Sequence, residues 1–271
     1  MATAPNALIA QVNGRTATTE DLAPLAFAGF AHFTAMQVRG GRVRGLDLHL
    51  QRLRTASLTL FGRATSDDQL RAHLRSALNA GPADVSLTAT VYSRAGEFTS
   101  TGTNGEPDVL IRTGPAASGP KGPLTLAAFE HERMLPAIKH VGEIAKTYYM
   151  REAVKQGFDD AAFLDRRGRL SEASIWNLAF WDGASVVWPD AAFLTGITMS
   201  IVRRQLHALG IPQRIQEISL TDLPQVRGAV VMNSWTPAVP VSRIGSVQLP
   251  DAPALLDILR RAYEAEPLVE L

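Results

Sequence analysis

A lysine and a glutamate are the side chains best suited to covalent and acid–base chemistry. Lys139 lies in LPAIKHVGE, between Ile138 and Val141. Loss of water around an amine there would lower its pKa and make it a nucleophile, as Schiff-base lysines require. A surface lysine whose stem lies on apolar groups fits the same pattern. Glu172 enters the apolar run RLSEASIWNLAFWDG (169–183), where a buried carboxylate needs a specific partner unless it faces water.

Primary amines are scarce in this chain. Its 271 residues include only four lysines, which are Lys121, Lys139, Lys146 and Lys155. Chemistry that needs an amine therefore has four candidates, and Lys146 falls within a predicted helix.

Anion-binding groups form a second set. The stretch FLTGITMSIV begins a predicted helix with Gly196, Ile197 and Thr198, where free backbone amides, a hydroxyl and the helix dipole favour an anion. Ordinary helix capping explains the same residues. Ser234, in MNSW at the end of a predicted strand, could add donors or simply form a turn. Arg52, in the helix HLQRLRTA, could bind a phosphate through two hydrogen bonds or remain a solvated arginine.

Several classes of protein are disfavoured by composition and motif. The net charge of +1 gives no electrostatic reason to expect nucleic acid or membrane partners. The absence of cysteine excludes disulfides and thiolate chemistry, and the six histidines form no metal-binding spacing, so no metal site is expected. The nucleophile-elbow and P-loop patterns are also missing. With no long apolar run, we expect a cytoplasmic protein.

The pattern of elements predicts an α+β protein with two domains. Hairpins are expected over 7–19 and 32–45, and further strands are expected between the predicted helices. Apolar residues at three- and four-residue spacing predict five helices, at 46–62, 66–81, 142–157, 196–210 and 252–265. The segment GPAASGPKGP is dense in glycine and proline and is the best candidate for a linker. We therefore expect domains at 1–113 and 124–271, joined by a linker at 114–123.

An amine, an anion cradle, a further arginine and a carboxylate in an apolar setting are together what pyridoxal 5'-phosphate requires. At this point the sequence resembles the class IV aminotransferases, the fold-type IV pyridoxal phosphate enzymes. The segments that carry the resemblance span about residues 30–245 in the order of the family. They are HLQRL, IKH, EA followed by GFDDAAFLD, LSEASIWNLAFWDG, LTGIT, and VVMNS followed by PAVPV.

The resemblance implies a role for each matching residue. Lys139 corresponds to the Schiff-base lysine, and Glu172 to the glutamate that pairs with the pyridine nitrogen of the cofactor. Asn177 corresponds to a structural asparagine. The phosphate contacts fall on Arg52, Gly196, Ile197, Thr198 and Ser234. The implied fold is a small N-terminal α/β domain and a larger C-terminal domain with a barrel-like sheet, in a homodimer with active sites near the subunit boundary.

The substrate is less well defined. Trp235 stands where aminotransferases often have a small residue, so we expect weak activity on branched-chain amino acids and better activity on flat or aromatic substrates or on substrates without an α-carboxylate. Phe33 replaces a frequent tyrosine, and Arg94 is either a substrate carboxylate partner or a structural arginine. The first hypothesis is a transaminase acting between an amine or amino acid and a keto acid. The alternatives are an aminodeoxychorismate-type lyase releasing pyruvate and a non-catalytic pyridoxal-binding protein.

Overall fold

The computed structural model describes residues 8–95, 97–98 and 106–271. Its residues group into two compact units. The first unit comprises Met1–Ala117, Ile138–Gly142 and Leu268–Leu271, and the second comprises Ser118–Ala137 and Glu143–Pro267. No helix among the described residues is both long and apolar enough to cross a membrane.

Helices and strands fall close to the predicted positions. The α-helices are α1 (Thr19–Leu22), α2 (Leu46–Phe61), α3 (Asp67–Asn79), α4 (Ile144–Lys155), α5 (Ile197–Ala208) and α6 (Pro253–Ala265). Strands in the first half of the chain are β1 (Ala10–Val12), β2 (Arg15–Thr16), β3 (His32–Val38), β4 (Arg42–Arg44), β5 (Val85–Tyr92), β6 (Asp108–Pro115) and β7 (Leu124–Glu130). Those in the second half are β8 (Asp160–Leu164), β9 (Leu170–Ala173), β10 (Asn177–Trp181), β11 (Val186–Pro189), β12 (Gln213–Gln216), β13 (Gly228–Asn233), β14 (Thr236–Ile244), β15 (Val247–Gln248) and β16 (Leu268–Glu270).

The first unit is an antiparallel sheet covered by two helices. Its strands follow the order β2-β1-β6-β5-β3. The spacing of Leu46, Leu50 and Leu53 turns one face of α2 into the core, where these side chains are at most 2% exposed. Helix α2 ends at Gly62, whose φ of +70° gives the left-handed conformation that suits glycine.

A short return of the chain completes the edge of this sheet. The Phe33 amide on β3 donates to the Lys139 carbonyl at 2.9 Å, and the Val141 amide donates to the Ala31 carbonyl at 2.8 Å. The final strand β16 pairs with β4. Residues 138–142 and 268–271 therefore belong to the first unit, although the expected domain boundary placed both segments in the second. A linear reading of composition does not reveal such a return.

The second unit is built on a closed sheet. Strands β10, β13, β14, β7, β8 and β9 are neighbours in that order, and β10 also pairs with β9, which closes a barrel of six strands. One buried cluster draws side chains from all six strands, including Leu126, Leu178, Val231 and Val239, and forms the barrel interior. The closed sheet confirms the expected mixed α and β fold with a barrel-like C-terminal part.

Helices cover the outer face of the barrel. Side chains of α5 and α6 pack against Ala179 and Val230, the neighbours of interior residues, as the period of two along a strand requires. Helix α4 packs with Ala153 on Ala161 and Phe163 of β8. On this outer face, the ends of helices can therefore contact side chains of the strands.

Two buried histidines should make the stability of the first unit depend on pH. The His32 ring lies 2.9 Å from the Ser57 hydroxyl, and the His49 ring lies 2.6 Å from the Thr34 hydroxyl. Burial lowers the pKa of His32 to about 4 and that of His49 to about 3. Both rings are therefore neutral in the folded protein at pH 7.

Acidification should destabilise the protein well before its carboxylates titrate. The unfolded chain binds protons at these histidines below pH 6.5, whereas the folded chain resists them until about pH 4 and 3. We expect each histidine to remove roughly 2–3 kcal/mol of unfolding free energy between pH 7 and 4.5. Urea unfolding followed by circular dichroism should show a smaller pH dependence in His49→Asn. His207→Asn, at an exposed position, is the control, and an equal pH dependence in all three proteins would contradict the assignment.

Candidate functional site

One cross-strand pair closes the barrel. Glu172 on β9 is the Cα partner of Asn177 on β10. Side chains paired directly across an antiparallel ladder project from the same face of the sheet. Both residues are about 5% exposed. The closure therefore sets a buried carboxylate and a buried amide side by side.

Asn177 fixes the entrance to α5. Its Oδ1 accepts a hydrogen bond from the Gly196 amide at 2.7 Å, and its Nδ2 donates to the Leu194 carbonyl at 2.7 Å. A Cβ at Gly196 would collide with Oδ1 of Asn177, so only glycine allows this approach. This geometry supports the structural role expected for Asn177.

The start of α5 and the β13–β14 turn come together. Gly196 is the N-cap of α5 and supplies no side-chain cap, so the first-turn amides of Ile197 and Thr198 are not capped by it. The Thr198 hydroxyl donates to the Asn233 carbonyl at 2.8 Å, immediately before Ser234. We call Gly196, Ile197, Thr198 and Ser234 the anion cradle. It gathers all the residues of the second unit for which a phosphate contact is expected.

Glu172 forms a buried ion pair with a lysine of α4. Lys146 Nζ lies 2.9 Å from Glu172 Oε2, and the two side chains are 11% and 6% exposed. Burial lowers the pKa of the Lys146 ammonium, and the nearby Glu172 carboxylate opposes that shift. The negative charge of Glu172, at the start of an apolar run, is therefore balanced by a cation of the same chain.

Lys146 is the site residue whose position sequence reasoning missed. The sequence placed it within a helix, without a role. The sequence did contain a signal that Lys146 faces the barrel. Lys146 is spaced three and then four residues from Tyr149 and Ala153, so the three side chains share one helical face. Ala153 packs against β8, which brings Lys146 to the barrel as well.

Lys139 lies in the first unit, at the edge of its sheet. Its Nζ lies 4.8 Å from the centre of the Phe33 ring, within the range of a cation–π contact. Ile138 beside it is buried, Val141 is exposed, and Lys139 itself is half-buried. The structure thus brings together Lys139 and Phe33, two residues that the sequence assigned to the site separately.

The two arginines of the first unit differ in their surroundings. Arg52 is half-buried on α2, and its charge helps to lower the pKa of His49. Arg94 donates to Asp21 at 2.7 Å and also forms an ion pair with Asp108. These contacts commit the guanidinium of Arg94 to carboxylates of the chain, which favours the structural alternative for Arg94.

Trp235 occupies the turn of the β13–β14 hairpin. Its amide donates to Asn233 Oδ1 at 2.8 Å, and its ring meets the Trp176 ring edge-on with centroids 6.0 Å apart. Trp176 is buried and donates from Nε1 to Asp160 at 2.9 Å. The Trp235 side chain is 43% exposed, so it is not a core residue.

Metal ligation has no support within the described part of the chain. Histidine, aspartate and glutamate side chains there form no group of three that could hold an ion.

Comparisons with solved structures find the same fold in several enzymes. The branched-chain amino acid aminotransferase from Escherichia coli is 19% identical, with a TM-score of 0.81 over 96% of this chain and 95% of that one. The branched-chain amino acid aminotransferase of T.th., complexed with N-(5'-phosphopyridoxyl)-L-glutamate, is 18% identical, with a TM-score of 0.78 over 97% and 94%. A putative 4-amino-4-deoxychorismate lyase from Legionella pneumophila is 16% identical, with a TM-score of 0.78 over 92% and 95%. At these identities the likeness shows the fold.

A comparison with family models identifies the chain more closely. Residues 31–244 match the model described as amino-transferase class IV. The matched segment covers well over half of the chain and contains Lys139, the barrel-closing pair and the anion cradle. The chain therefore belongs to the class IV aminotransferase family.

Proposed function

We propose that this chain is a pyridoxal phosphate-dependent transaminase. It moves an amino group between an amine or amino acid and a keto acid. The observation that carries the proposal is the closure of the barrel by Glu172 and Asn177. This pairing places the Glu172 carboxylate on the same face of the barrel as Asn177, which holds Gly196 of the anion cradle. Family membership supports the same activity.

The polar groups of the second unit suit the two ends of pyridoxal phosphate. The phosphate is an anion, and the N-terminus of α5 offers backbone amides and a positive dipole end, while the Thr198 hydroxyl donates to the Asn233 carbonyl and ties this terminus to the end of β13. The ring nitrogen is a cation when protonated, and Glu172 is a buried carboxylate that already pairs with the Lys146 ammonium and would share its charge with the ring nitrogen. Arg52 of the first unit is the further phosphate contact that the family resemblance implies.

The protein's own residues would divide the work among them. Pyridoxal phosphate, when bound, would supply an electron sink for the electron pair left on the substrate carbon when its proton departs to a base. Glu172 would hold a proton on the ring nitrogen, and the anion cradle would hold the phosphate in place. Lys139 would hold the cofactor through its amine and, once released, would accept and return a proton.

Solved relatives support the cofactor and the substrate class. The enzyme of T.th. is complexed with a phosphopyridoxyl derivative of glutamate, and a second structure of it contains pyridoxamine 5'-phosphate. We infer an amino acid or amine donor and a keto acid acceptor for this chain. A homodimer and a cytoplasmic location stay predictions from the resemblance and the composition.

Trp235 supports a particular substrate preference. Trp235 is an exposed residue one position beyond Ser234, so its indole would add bulk beside a phosphate held there. We therefore keep the prediction of weak activity on branched-chain amino acids. The solved branched-chain enzymes share the fold at about one-fifth identity, which does not carry their substrate to this chain.

A single-turnover experiment tests the function. The protein loaded with pyridoxal phosphate is mixed with one amino donor at a time, without a keto acceptor, and cofactor products are separated by chromatography. We expect conversion to pyridoxamine phosphate, faster with aromatic amines or aromatic amino acids than with leucine or valine. Lys139→Ala is the matched negative control.

Two outcomes would contradict this proposal. Pyruvate release from aminodeoxychorismate without an acceptor would identify the lyase instead. A loaded protein that converts no donor would indicate a binding protein without transaminase activity.

Lys139 should be the lysine that holds the cofactor. Borohydride fixes pyridoxal phosphate to the amine that binds it, and peptide mapping then locates the label. We expect the label on Lys139, because the family motif IKH falls there and Lys146 is already paired with Glu172. A label on Lys146, Lys121 or Lys155 would overturn the assignment.

A further inference from the structure

The Lys146–Glu172 ion pair lies deeper than the other ion pair of the same helix, Lys155–Glu152. Lys155, on the same helix, pairs with Glu152 at 2.6 Å, but its side chain is 70% exposed. An exposed pair of that kind contributes little to stability. A buried pair is different, because removal of one member leaves the other as an uncompensated charge.

Helix α4 places Lys146 on a face built for apolar packing. Tyr149 and Ala153 of this face contact Phe163 on β8, and Lys146 Nζ lies 5.9 Å from the centre of the same ring. An ammonium in this position is desolvated by its surroundings. The 2.9 Å contact with Glu172 is therefore the interaction that allows Lys146 to be charged here.

The other ionisable groups near the pair balance one another. Arg133 and Glu143 form a looser ion pair of 3.7 Å, and both influence the pKa of Lys146. Burial lowers the pKa of His131, whose Nε2 is enclosed without a hydrogen-bond partner. Two cations thus face two carboxylates beside a neutral histidine. A protonated ring nitrogen at Glu172 would be a third cation.

We propose that Lys146 is a positioning residue of the cofactor site. It balances the charge of Glu172 and holds the carboxylate in place before pyridoxal phosphate binds, and it then shares the carboxylate with the ring nitrogen. This inference rests on the proposed function, since Glu172 must face that nitrogen. Its consequence is that the ring nitrogen holds its proton less firmly than it would opposite Glu172 alone.

Removing the charge of Lys146 should have different consequences in the cofactor-free protein and in the cofactor-bound protein. Without cofactor, Lys146→Met leaves Glu172 buried without its compensating cation, which should destabilise the fold. With cofactor, the nearest competing cation is gone, and the ring nitrogen becomes the sole close partner of Glu172. Its pKa should then rise, because a cation is easier to form when a neighbouring cation is removed.

The direct test is nitrogen NMR of bound pyridoxal phosphate labelled with ¹⁵N in the ring. Its chemical shift reports protonation of that nitrogen, and a pH titration gives its pKa. In Lys146→Met we expect the pKa to rise by about one unit or more, a tenfold gain in proton affinity. Lys146→Arg should return it close to the value of the unmodified protein. Lys155→Met, on the same helix, is the matched control and should leave it unchanged.

A double-mutant cycle on the cofactor-free protein provides a second readout. Urea unfolding is compared for Lys146→Met, Glu172→Gln and the double variant. We expect the double variant to be more stable than the sum of the two single losses predicts. Additive losses would show that the two side chains are not coupled and would overturn the inference.

The outcomes separate this inference from the proposed function. If the unmodified protein does not bind pyridoxal phosphate, the proposed function fails and the inference falls with it. If it binds the cofactor and transaminates, but the ring-nitrogen pKa is the same in Lys146→Met and Lys155→Met, the inference alone is wrong.

Discussion

The second unit depends on the pairing of Glu172 with Asn177. This one contact converts a row of strands into a closed barrel. It also sets the two polar side chains on the same face, where Asn177 bonds to Gly196 and Glu172 meets Lys146. Two polar groups can be buried at this position because each has a partner, which the low dielectric of the site demands. Fold closure and site assembly are therefore the same structural event.

Charge explains why the carboxylate side of this pair needs α4. A glutamate at 5% exposure needs a compensating charge, since burial raises the free energy of an isolated anion steeply. Lys146 supplies the compensating charge from a helix that packs on β8 through Ala153. The carboxylate is therefore ready for a cationic ring before any cofactor binds. Preorganisation of this kind reduces the reorganisation that binding would require.

Local pattern predicted much of the fold and part of the site. The spacing of Leu46, Leu50 and Leu53 predicted α2, and small residues ahead of a helical period predicted where α5 begins, because both signals lie within one segment of chain. The return of residues 138–142 to the edge of β3 was not predicted, since pairing between distant segments leaves no local signature. Lys146 was missed for a related reason. Its helical face was readable, but its carboxylate partner lies on β9, a separate element farther along the chain.

The central claim is that the residues that close the barrel also hold the anion cradle in position. The most direct test is the affinity of the Asn177→Ala variant for cofactor. This variant loses the bonds to Gly196 and Leu194 but keeps Glu172 and Lys146. Fluorescence titration of the folded variant should show roughly tenfold to hundredfold weaker binding of pyridoxal phosphate, since each lost bond contributes about 1 kcal/mol. Pyridoxal, which lacks the phosphate, should lose much less affinity. Equal losses for both ligands, or no loss for either, would contradict the account.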